Sequence, residues 1–273
     1  MSSEATVRLV PSRLQGGLLA FSLAVAGTAG AGQRLVVIGG GERPKEAMSR
    51  FVEWAGGPAG SRILVVSWAT EEPRESFDSF REDLMPFKPE AVEAAPPRPL
   101  TASGKTVFLG QLRRATAVFF TGGDQSRIMD VLRDAELIGA LRERYAAGVA
   151  FGGTSAGAAI MSERMITGEG DFTLIDAAKV EIRPGLGLLP GVIVDQHFIK
   201  RQRENRLFGL VLAHPEERGI GIDESTAILV EDGHKAEVVG ASQVMLVDVG
   251  VSKDSLVLTL LHAGQAFEVQ RPR

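Results

Sequence analysis

The chain has 273 residues, of which 44% are hydrophobic and 23% charged, and its formal net charge is −4. A chain of this length can bury one substantial α/β core. Lysine and arginine are scattered and aromatic residues make up only 6%, which argues against a nucleic-acid-binding protein. The sequence contains no cysteine, so disulfides, thiol catalysis and cysteine-ligated metal are excluded.

The first 31 residues have the layout of a secretory signal peptide. Arg8 and Arg13 precede the apolar run 18–26, and an Ala-x-Ala site ends at Ala31. The apolar run is too short to act as a stable membrane anchor. We expect cleavage after Ala31, export to the periplasm or the medium, and a mature single domain of residues 32–273. The alternative is a cytoplasmic protein with a flexible leader.

Strand and helix patterns alternate from residue 35 to about residue 212. This alternation predicts an α/β fold, with a mostly parallel sheet flanked by helices on both faces. Three glycines, Gly39–Gly41, end the first strand, but a dinucleotide fingerprint would need glycine where Pro44 stands. After Gly219 the pattern changes to short strands, which predict antiparallel hairpins closing one sheet edge. These are 227–230, 236–239, 244–248 and 256–261.

Gly153-x-Ser155-x-Gly157 follows an apolar run ending at Phe151 and precedes the start of a helix at Ala158. A serine on a strand-to-helix turn presents its hydroxyl above the sheet, and nearby backbone N–H groups can hold an oxyanion. The motif therefore predicts a nucleophile. The alternative is a glycine-rich turn in which the serine caps a helix.

His197 is the best-placed of four histidines to act as a general base. His214 lies in a helix-ending context, His234 in a hairpin turn, and His262 after a late apolar run. His197 alone follows a predicted central strand at its carboxyl end, where the sites of open α/β sheets gather. The alternative is a structural histidine.

Four motifs together resemble the cyanophycinase family of serine peptidases, which is related to aspartyl dipeptidases. The resemblance implies a class I glutamine amidotransferase-like (flavodoxin-like) fold and no metal or cofactor. It also implies cleavage of cyanophycin, a poly-aspartate backbone carrying arginine on each β-carboxyl, to β-Asp-Arg dipeptides. The motifs are residues 120–125, residues 152–159, residues 195–198 with Arg201, Arg203 and Arg206, and residues 221–227.

The resemblance implies Ser155 as nucleophile, His197 as base and Glu224 as the acid that orients the histidine. Three other carboxylates compete for the acid position or could bind substrate: Glu169, Asp171 and Asp176. We expect Ser155 to attack the β-carbonyl of aspartate and so to cleave the isopeptide bond, with the N–H groups of Gly123 and Ala156 holding the oxyanion.

The substrate carries carboxylate and guanidinium groups, so its pocket needs both charge signs. Arg201, Arg203 and Arg206 are predicted to bind carboxylates, and the last two are expected to share a helix face. The alternative for these arginines is a solvated helix face. Guanidinium would be bound by Asp195, Asp124 or Glu169. Gln125 and Gln196 complete the predicted binding set, and Asp124 and Gln125 could also cap a helix.

Two further functions remain open from the sequence. An aspartyl or β-aspartyl dipeptidase would use the same triad on small peptides. A noncatalytic protein could keep the cleft for binding alone, although the intact Ser155, His197 and Glu224 argue against this. The sequence is also compatible with a homodimer.

Overall fold

The computed structural model describes residues 32–168, 170–171, 173–252 and 254–271. The predicted leader and Glu169 lie outside these residues. In the described chain the longest helix has 13 residues, and no helix is long and apolar enough to cross a bilayer. The helices are α1 Lys45–Trp54, α2 Pro73–Leu84, α3 Ala102–Arg114, α4 Gln125–Val131, α5 Ala135–Ala146, α6 Ala156–Ala159 and α7 Glu204–Ala213.

The strands form an eight-stranded sheet, a four-stranded sheet and a two-stranded ribbon. They are β1 Arg34–Ile38, β2 Arg62–Val66, β3 Ala91–Ala94, β4 Ala117–Phe120, β5 Ala150–Thr154, β6 Arg164–Ile166, β7 Ile182–Pro184, β8 Val192–Gln196, β9 Arg218–Ile222, β10 Thr226–Glu231, β11 Lys235–Gly240, β12 Gln243–Val249, β13 Leu256–His262 and β14 Ala266–Glu268.

The main sheet has the strand order β14-β11-β10-β1-β5-β4-β2-β3. The five strands from β1 to β3 in this order are parallel, and β10, β11 and β14 continue the sheet antiparallel. Its central strands are near-continuous apolar runs because helices cover both faces. On one face Phe108 and Phe151 belong to a large apolar core, and on the other Phe51, Phe80 and Phe119 form a second core. The predicted fold class is confirmed.

The second sheet has the order β13-β12-β9-β8 and corrects two expectations. β8, which leads to His197, is an edge strand of this sheet and is not a central strand of the main one. The late strands do not all close one edge: β10 and β11 do, whereas β12 and β13 pair onto β9. An apolar core explains the difference, because Val247 of β12 packs with Ile193 of β8 and Leu207 of α7.

The carboxyl ends of strands from both sheets meet at one place. The N–H of Ser155, which follows β5, donates to the Ile38 carbonyl of β1 at 3.0 Å. The N–H of His197, which follows β8, donates to the Gly39 carbonyl at 2.7 Å. The loop that follows β1 therefore joins the two sheets at the edge where the motif residues converge.

Candidate active site

Ser155 lies on a sharp turn between β5 and α6. Its backbone has φ 52° and ψ −110°, a strained conformation for a residue with a side chain. The flanking glycines are needed because the backbone approaches closely. A Cβ at Gly153 would lie 2.2 Å from the Gly157 carbonyl oxygen, and a Cβ at Gly157 would lie 2.1 Å from the Phe120 carbonyl oxygen. The turn presents the Ser155 hydroxyl above the sheet.

His197 brings its imidazole directly to this hydroxyl. Its Nε2 lies 2.8 Å from Ser155 Oγ, and its side chain is only 9% exposed. His197 also has a positive φ, 50°, which is an uncommon backbone conformation for a residue with a side chain. The imidazole packs against Gly40, where a Cβ would lie 2.2 Å from its Cε1. A residue with a side chain at position 40 would displace the ring.

Glu224 occupies the other side of the imidazole, in the turn between β9 and β10. Its Oε1 lies 2.6 Å from His197 Nδ1. A carboxylate at this nitrogen holds a proton there, which leaves Nε2 able to accept the proton of Ser155. The N–H of Ser225 donates to the Gly40 carbonyl at 2.8 Å and fixes this turn to the glycine loop.

The competing acids that the structure describes have other partners. Asp171 accepts hydrogen bonds from the N–H and the hydroxyl of Thr173, at 2.8 and 2.6 Å. Asp176 caps a 3₁₀ turn by accepting from the N–H of Ala178 at 2.9 Å. Glu169 lies outside the described residues. Among the described carboxylates, the one at His197 Nδ1 is that of Glu224.

Burial lowers the pKa of His197 below its ordinary value of 6.5. The hydrogen bond and the charge of Glu224 act in the opposite direction, and the positive charges of Arg201 and Arg203 lower the pKa further. The neutral imidazole, which is the form that can accept a proton, is therefore favoured at neutral pH.

The two predicted oxyanion donors lie on the turns around Ser155. A Cβ at Gly122 would lie 3.4 Å from Ser155 Cβ, so the turn after β4 runs beside the nucleophile. The next residue, Gly123, packs against Ala69. In the described residues, neither the Gly123 N–H nor the Ala156 N–H donates to a backbone carbonyl. Both are available to a developing negative charge.

Asp195 and Gln196 directly precede His197 at the end of β8 and lie in a buried layer with two arginines. The side chain of Arg206 binds Asp195 in a bidentate manner, at 2.7 and 2.5 Å. Arg203 donates from one nitrogen to both the backbone carbonyl and the side-chain oxygen of Gln196, at 2.9 and 2.6 Å. All four residues are at most 5% exposed.

This layer corrects the predicted placement of the arginines. Arg203 precedes α7, which begins at Glu204, so it does not share a helix face with Arg206. Neither arginine lies on a solvated surface, because each guanidinium has a buried partner within the same motif. Their contacts favour support of the strand end that carries His197 over contact with substrate.

The remaining predicted binding residues differ in exposure. Arg201 is exposed in the turn between β8 and α7, and its backbone N–H donates to the His197 carbonyl at 2.9 Å. Asp124 caps α4 through the N–H of Ser126, and its side chain is 53% exposed. Gln125 is buried, and its amide donates to the Ile166 carbonyl at 2.7 Å. Arg201 and Asp124 are thus both exposed, and the Asp124 carboxylate lies 3.7 Å from Arg127 Nε.

The glycine loop 39–41 was missed as part of the site by sequence reasoning. The signal was present, because three consecutive glycines end a strand at the catalytic edge.

The described chain also has one cluster that could hold a metal ion: His214, Glu216 and Glu217. It adjoins the amino end of β9, and Arg164 binds Glu217 there at 2.6 Å. It is separate from the Ser155 site.

Comparison with known proteins assigns the chain to a family. Residues 35–238 match the model of Peptidase family S51. The chain is 36% identical over 218 residues to a cyanophycinase of Geminocystis herdmanii, covering 78% of this chain and 80% of that protein. It is also 36% identical to a cyanophycinase of Trichormus variabilis, covering 78% and 73% of the two chains.

Two solved structures share the fold. A peptidase from an acI-B1 Actinobacterium has a TM-score of 0.67 at 22% identity, covering 88% of this chain and 98% of that one. A putative Peptidase E protein from Listeria monocytogenes EGD-e has a TM-score of 0.56 at 17% identity, covering 78% and 100%. The family resemblance read from the motifs is confirmed: the chain belongs to Peptidase family S51 and is a serine peptidase similar to cyanophycinases.

Proposed function

We propose that this peptidase hydrolyses cyanophycin to β-Asp-Arg dipeptides, with Ser155, His197 and Glu224 as its catalytic triad. The observation that carries the proposal is the hydrogen-bonded row of these three side chains, in a chain 36% identical to cyanophycinases. Acyl transfer by such a triad needs no cofactor.

The product identifies the bond that must break. Release of an intact β-Asp-Arg dipeptide keeps the isopeptide bond, so the scissile bond is the backbone peptide bond between successive aspartates. Attack on the β-carbonyl, as expected from the sequence, would release arginine instead. The proposed reaction therefore begins with attack of Ser155 Oγ on the α-carbonyl carbon, while His197 Nε2 takes the hydroxyl proton.

The tetrahedral intermediate places its negative oxygen toward the N–H groups of Gly123 and Ala156. One such donor contributes about 2.7–4 kcal/mol in comparable sites. His197 then gives its proton to the leaving aspartate α-amine as the C–N bond breaks. Water, deprotonated by His197, attacks the acyl-enzyme, and Ser155 recovers its proton. Glu224 stabilises the imidazolium in both halves.

For recognition, we assign the substrate's charges to two exposed groups, Arg201 in the turn after His197 and Asp124 in the turn after Gly123. Arg201 can bind a carboxylate with its fork of N–H donors, and Asp124 can bind a guanidinium. Asp195, Gln196, Arg203 and Arg206 act through their support of His197. Gln125 supports the turn that carries Gly123.

Incubation of the full chain with purified cyanophycin, followed by mass analysis, tests the proposal. The expected product is β-Asp-Arg, and Ser155→Ala is the control for a contaminating peptidase. Free arginine would place the scissile bond at the isopeptide. Cleavage of β-aspartyl or aspartyl dipeptides with no attack on the polymer would contradict the proposed substrate and assign a dipeptidase.

Export is proposed as well, on the basis of the signal-like residues 1–31. N-terminal sequencing of the protein made in its own host is expected to give Gly32 as the first residue, in the periplasmic or secreted fraction. An intact Met1 in the cytoplasmic fraction would contradict export. A homodimer is also proposed, and light scattering of the full chain in solution tests it: a monomeric mass would contradict the proposal.

A further inference from the structure

The loops that follow four neighbouring strands lie side by side along the catalytic edge of the main sheet. Ser155 follows β5, and Asp124 lies in the loop after β4. Glu71 lies in the loop after β2, and Arg98 in the loop after β3. These strands are parallel neighbours in the order β5-β4-β2-β3. Since adjacent strands are about 4.8 Å apart, the loop after β3 lies roughly 14 Å from the turn of Ser155.

Hydrogen bonds hold these loops to one another. The N–H of Asp124 donates to the Ala69 carbonyl at 2.9 Å, which joins the loop after β4 to the loop after β2. The indole N–H of Trp68 donates to the Pro96 carbonyl at 2.8 Å, which joins the loop after β2 to the loop after β3. The loops therefore form one continuous surface that leads away from the nucleophile.

The charged side chains on this surface alternate in sign. Arg127 of α4 has its Nε 3.7 Å from Asp124 Oδ2 and its Nη1 2.6 Å from Glu71 Oε1. Arg98 Nη2 lies 3.0 Å from the same oxygen of Glu71. The order away from Ser155 is thus carboxylate, guanidinium, carboxylate, guanidinium. We call these four side chains, Asp124, Arg127, Glu71 and Arg98, the charged row.

The far end of the charged row opens into a cavity of about 560 Å³. Three cations and two carboxylates line this cavity: Arg98, Lys105, Arg127, Asp130 and Asp134. In the described chain the Nε and Nη2 atoms of Arg98 make no hydrogen bond, although Glu71 lies at ion-pair distance. The Arg98 side chain is 27% exposed. A guanidinium that lacks a hydrogen-bonded acceptor, beside a cavity with more cations than carboxylates, favours an anionic ligand.

We propose that the charged row and its cavity bind the uncleaved part of the polymer, several residues away from the bond that Ser155 attacks. This inference rests on the proposed function, because the occupant is a further segment of the same substrate. Each arginine of the polymer is joined through its α-amine and keeps a free α-carboxylate and a guanidinium. The α-carboxylate accepts hydrogen bonds from Arg98, and the guanidinium donates to Glu71, whose side chain is 68% exposed.

The distance along the row sets the length of substrate that can use it. An extended chain spans about 3.3–3.6 Å per residue, so about four aspartates reach from the turn of Ser155 to the loop of Arg98. An oligomer of two β-Asp-Arg units has the scissile bond but is too short to reach Arg98. The charged row therefore predicts that kcat/KM rises with the number of units.

The test compares two synthetic oligomers as substrates of the full chain, one with two β-Asp-Arg units and one with eight. The wild type should show a higher kcat/KM on the longer oligomer. Arg98→Gln should lower the eight-to-two ratio of kcat/KM about tenfold, through KM on the longer oligomer, because it removes a charged hydrogen bond. The ratio cancels any loss of folded protein in the variant.

Arg62→Gln is the matched control for this ratio. Arg62 forms an ion pair with Glu90 at 2.8 Å, and both side chains are partly exposed. It begins β2, so it lies at the opposite, amino edge of the main sheet. Its eight-to-two ratio should equal that of the wild type.

A direct measurement of binding uses Ser155→Ala, which cannot turn over the substrate. Calorimetry should show that this chain binds the eight-unit oligomer, and that adding Arg98→Gln raises Kd about tenfold. Adding Glu71→Gln should also raise Kd, because the guanidinium loses its carboxylate. Glu71 thus gives a second variant that does not depend on the stability of the Arg98 variant.

The outcomes separate this inference from the proposed function. A wild-type chain that cleaves neither oligomer would contradict the proposed function, and the charged row with it. Cleavage with the same eight-to-two ratio in the wild type and in Arg98→Gln would overturn the charged row alone. An equal fall of the ratio in Arg62→Gln would show a general effect of charge and would also overturn it.

Discussion

The Asp-Gln-His-Phe segment at the end of β8 sends its polar side chains into two different environments. His197 contacts Ser155 and Glu224, and these three side chains are carried by strained turns and glycines. The triad is open to solvent at Glu224, whose side chain is 30% exposed. Asp195 and Gln196 face Arg206 and Arg203 in a closed layer with charged hydrogen bonds. One strand end therefore both presents a reactive group and anchors it.

The catalytic triad should lose its activity most completely when the nucleophile is removed. Ser155→Ala is expected to lower kcat on the order of 10⁶-fold, as loss of a triad serine does elsewhere. Folding should be unaffected, since alanine fits the turn. Single-turnover assays measure the rate, and urea unfolding measures the stability. Residual activity within tenfold of wild type would exclude Ser155 as the nucleophile.

Glu224→Gln should lower kcat by about 10⁴-fold, because the amide no longer holds the histidine in the required tautomer. Asp171→Asn and Asp176→Asn are the controls. Their carboxylates accept hydrogen bonds from the backbone N–H groups of Thr173 and Ala178, so their variants should stay near the wild-type rate. If Glu224→Gln were nearly silent while a control was inactive, the acid of the triad would be misassigned.

In the supporting layer, Arg206→Met should destabilise the fold by about 3–5 kcal/mol, because it leaves the Asp195 carboxylate buried without its partner. Arg218→Met is the matched control, since Arg218 binds Asp248 in a bidentate manner near the amino end of β9. It should also lower stability in urea unfolding.

The two arginine variants should differ in catalysis. At a temperature where both are folded, Arg206→Met should lower kcat on a small ester, and Arg218→Met should leave it unchanged. Equal kcat values for both would show that the buried layer next to His197 contributes stability alone.

The smallest effects should appear in the pH profile. Because the pKa of His197 is lowered, the acid limb of kcat/KM should lie below pH 6.5. Arg201→Gln removes a positive charge that lowers this pKa, so the limb should move to higher pH. Glu224→Gln removes an interaction that raises the pKa, so the limb should move to lower pH.

Lys200→Gln is the control for the pH profile. Lys200 is an exposed neighbouring cation that is not among the causes of the His197 shift. Its acid limb should coincide with that of the wild type. Movement of the limb in the same direction in the Arg201 and Glu224 variants would contradict the assigned electrostatics.

Much of the site could be predicted from local sequence. The spacing of Gly153, Ser155 and Gly157 predicts the turn, because only small residues allow the backbone approaches found there. The position of His197 after an apolar strand predicts its place at a carboxyl edge. The binding partners of Arg203 and Arg206 could not be predicted in this way. A charged side chain near a histidine has the same local pattern whether it binds substrate or a buried carboxylate.

By itself the sequence determined the fold class, the family and the order of the motif residues. The fold class follows from hydrophobic periodicity and turn chemistry, which act over a few neighbouring residues. The family follows from the resemblance of the four motifs. Tertiary structure alone decided which sheet carries β8, which strands β12 and β13 join, and which acid reaches His197 Nδ1. Strand pairing and burial depend on residues that are far apart in the chain. Glu224 and His197 are 27 positions apart, and Glu224 Oε1 lies 2.6 Å from His197 Nδ1.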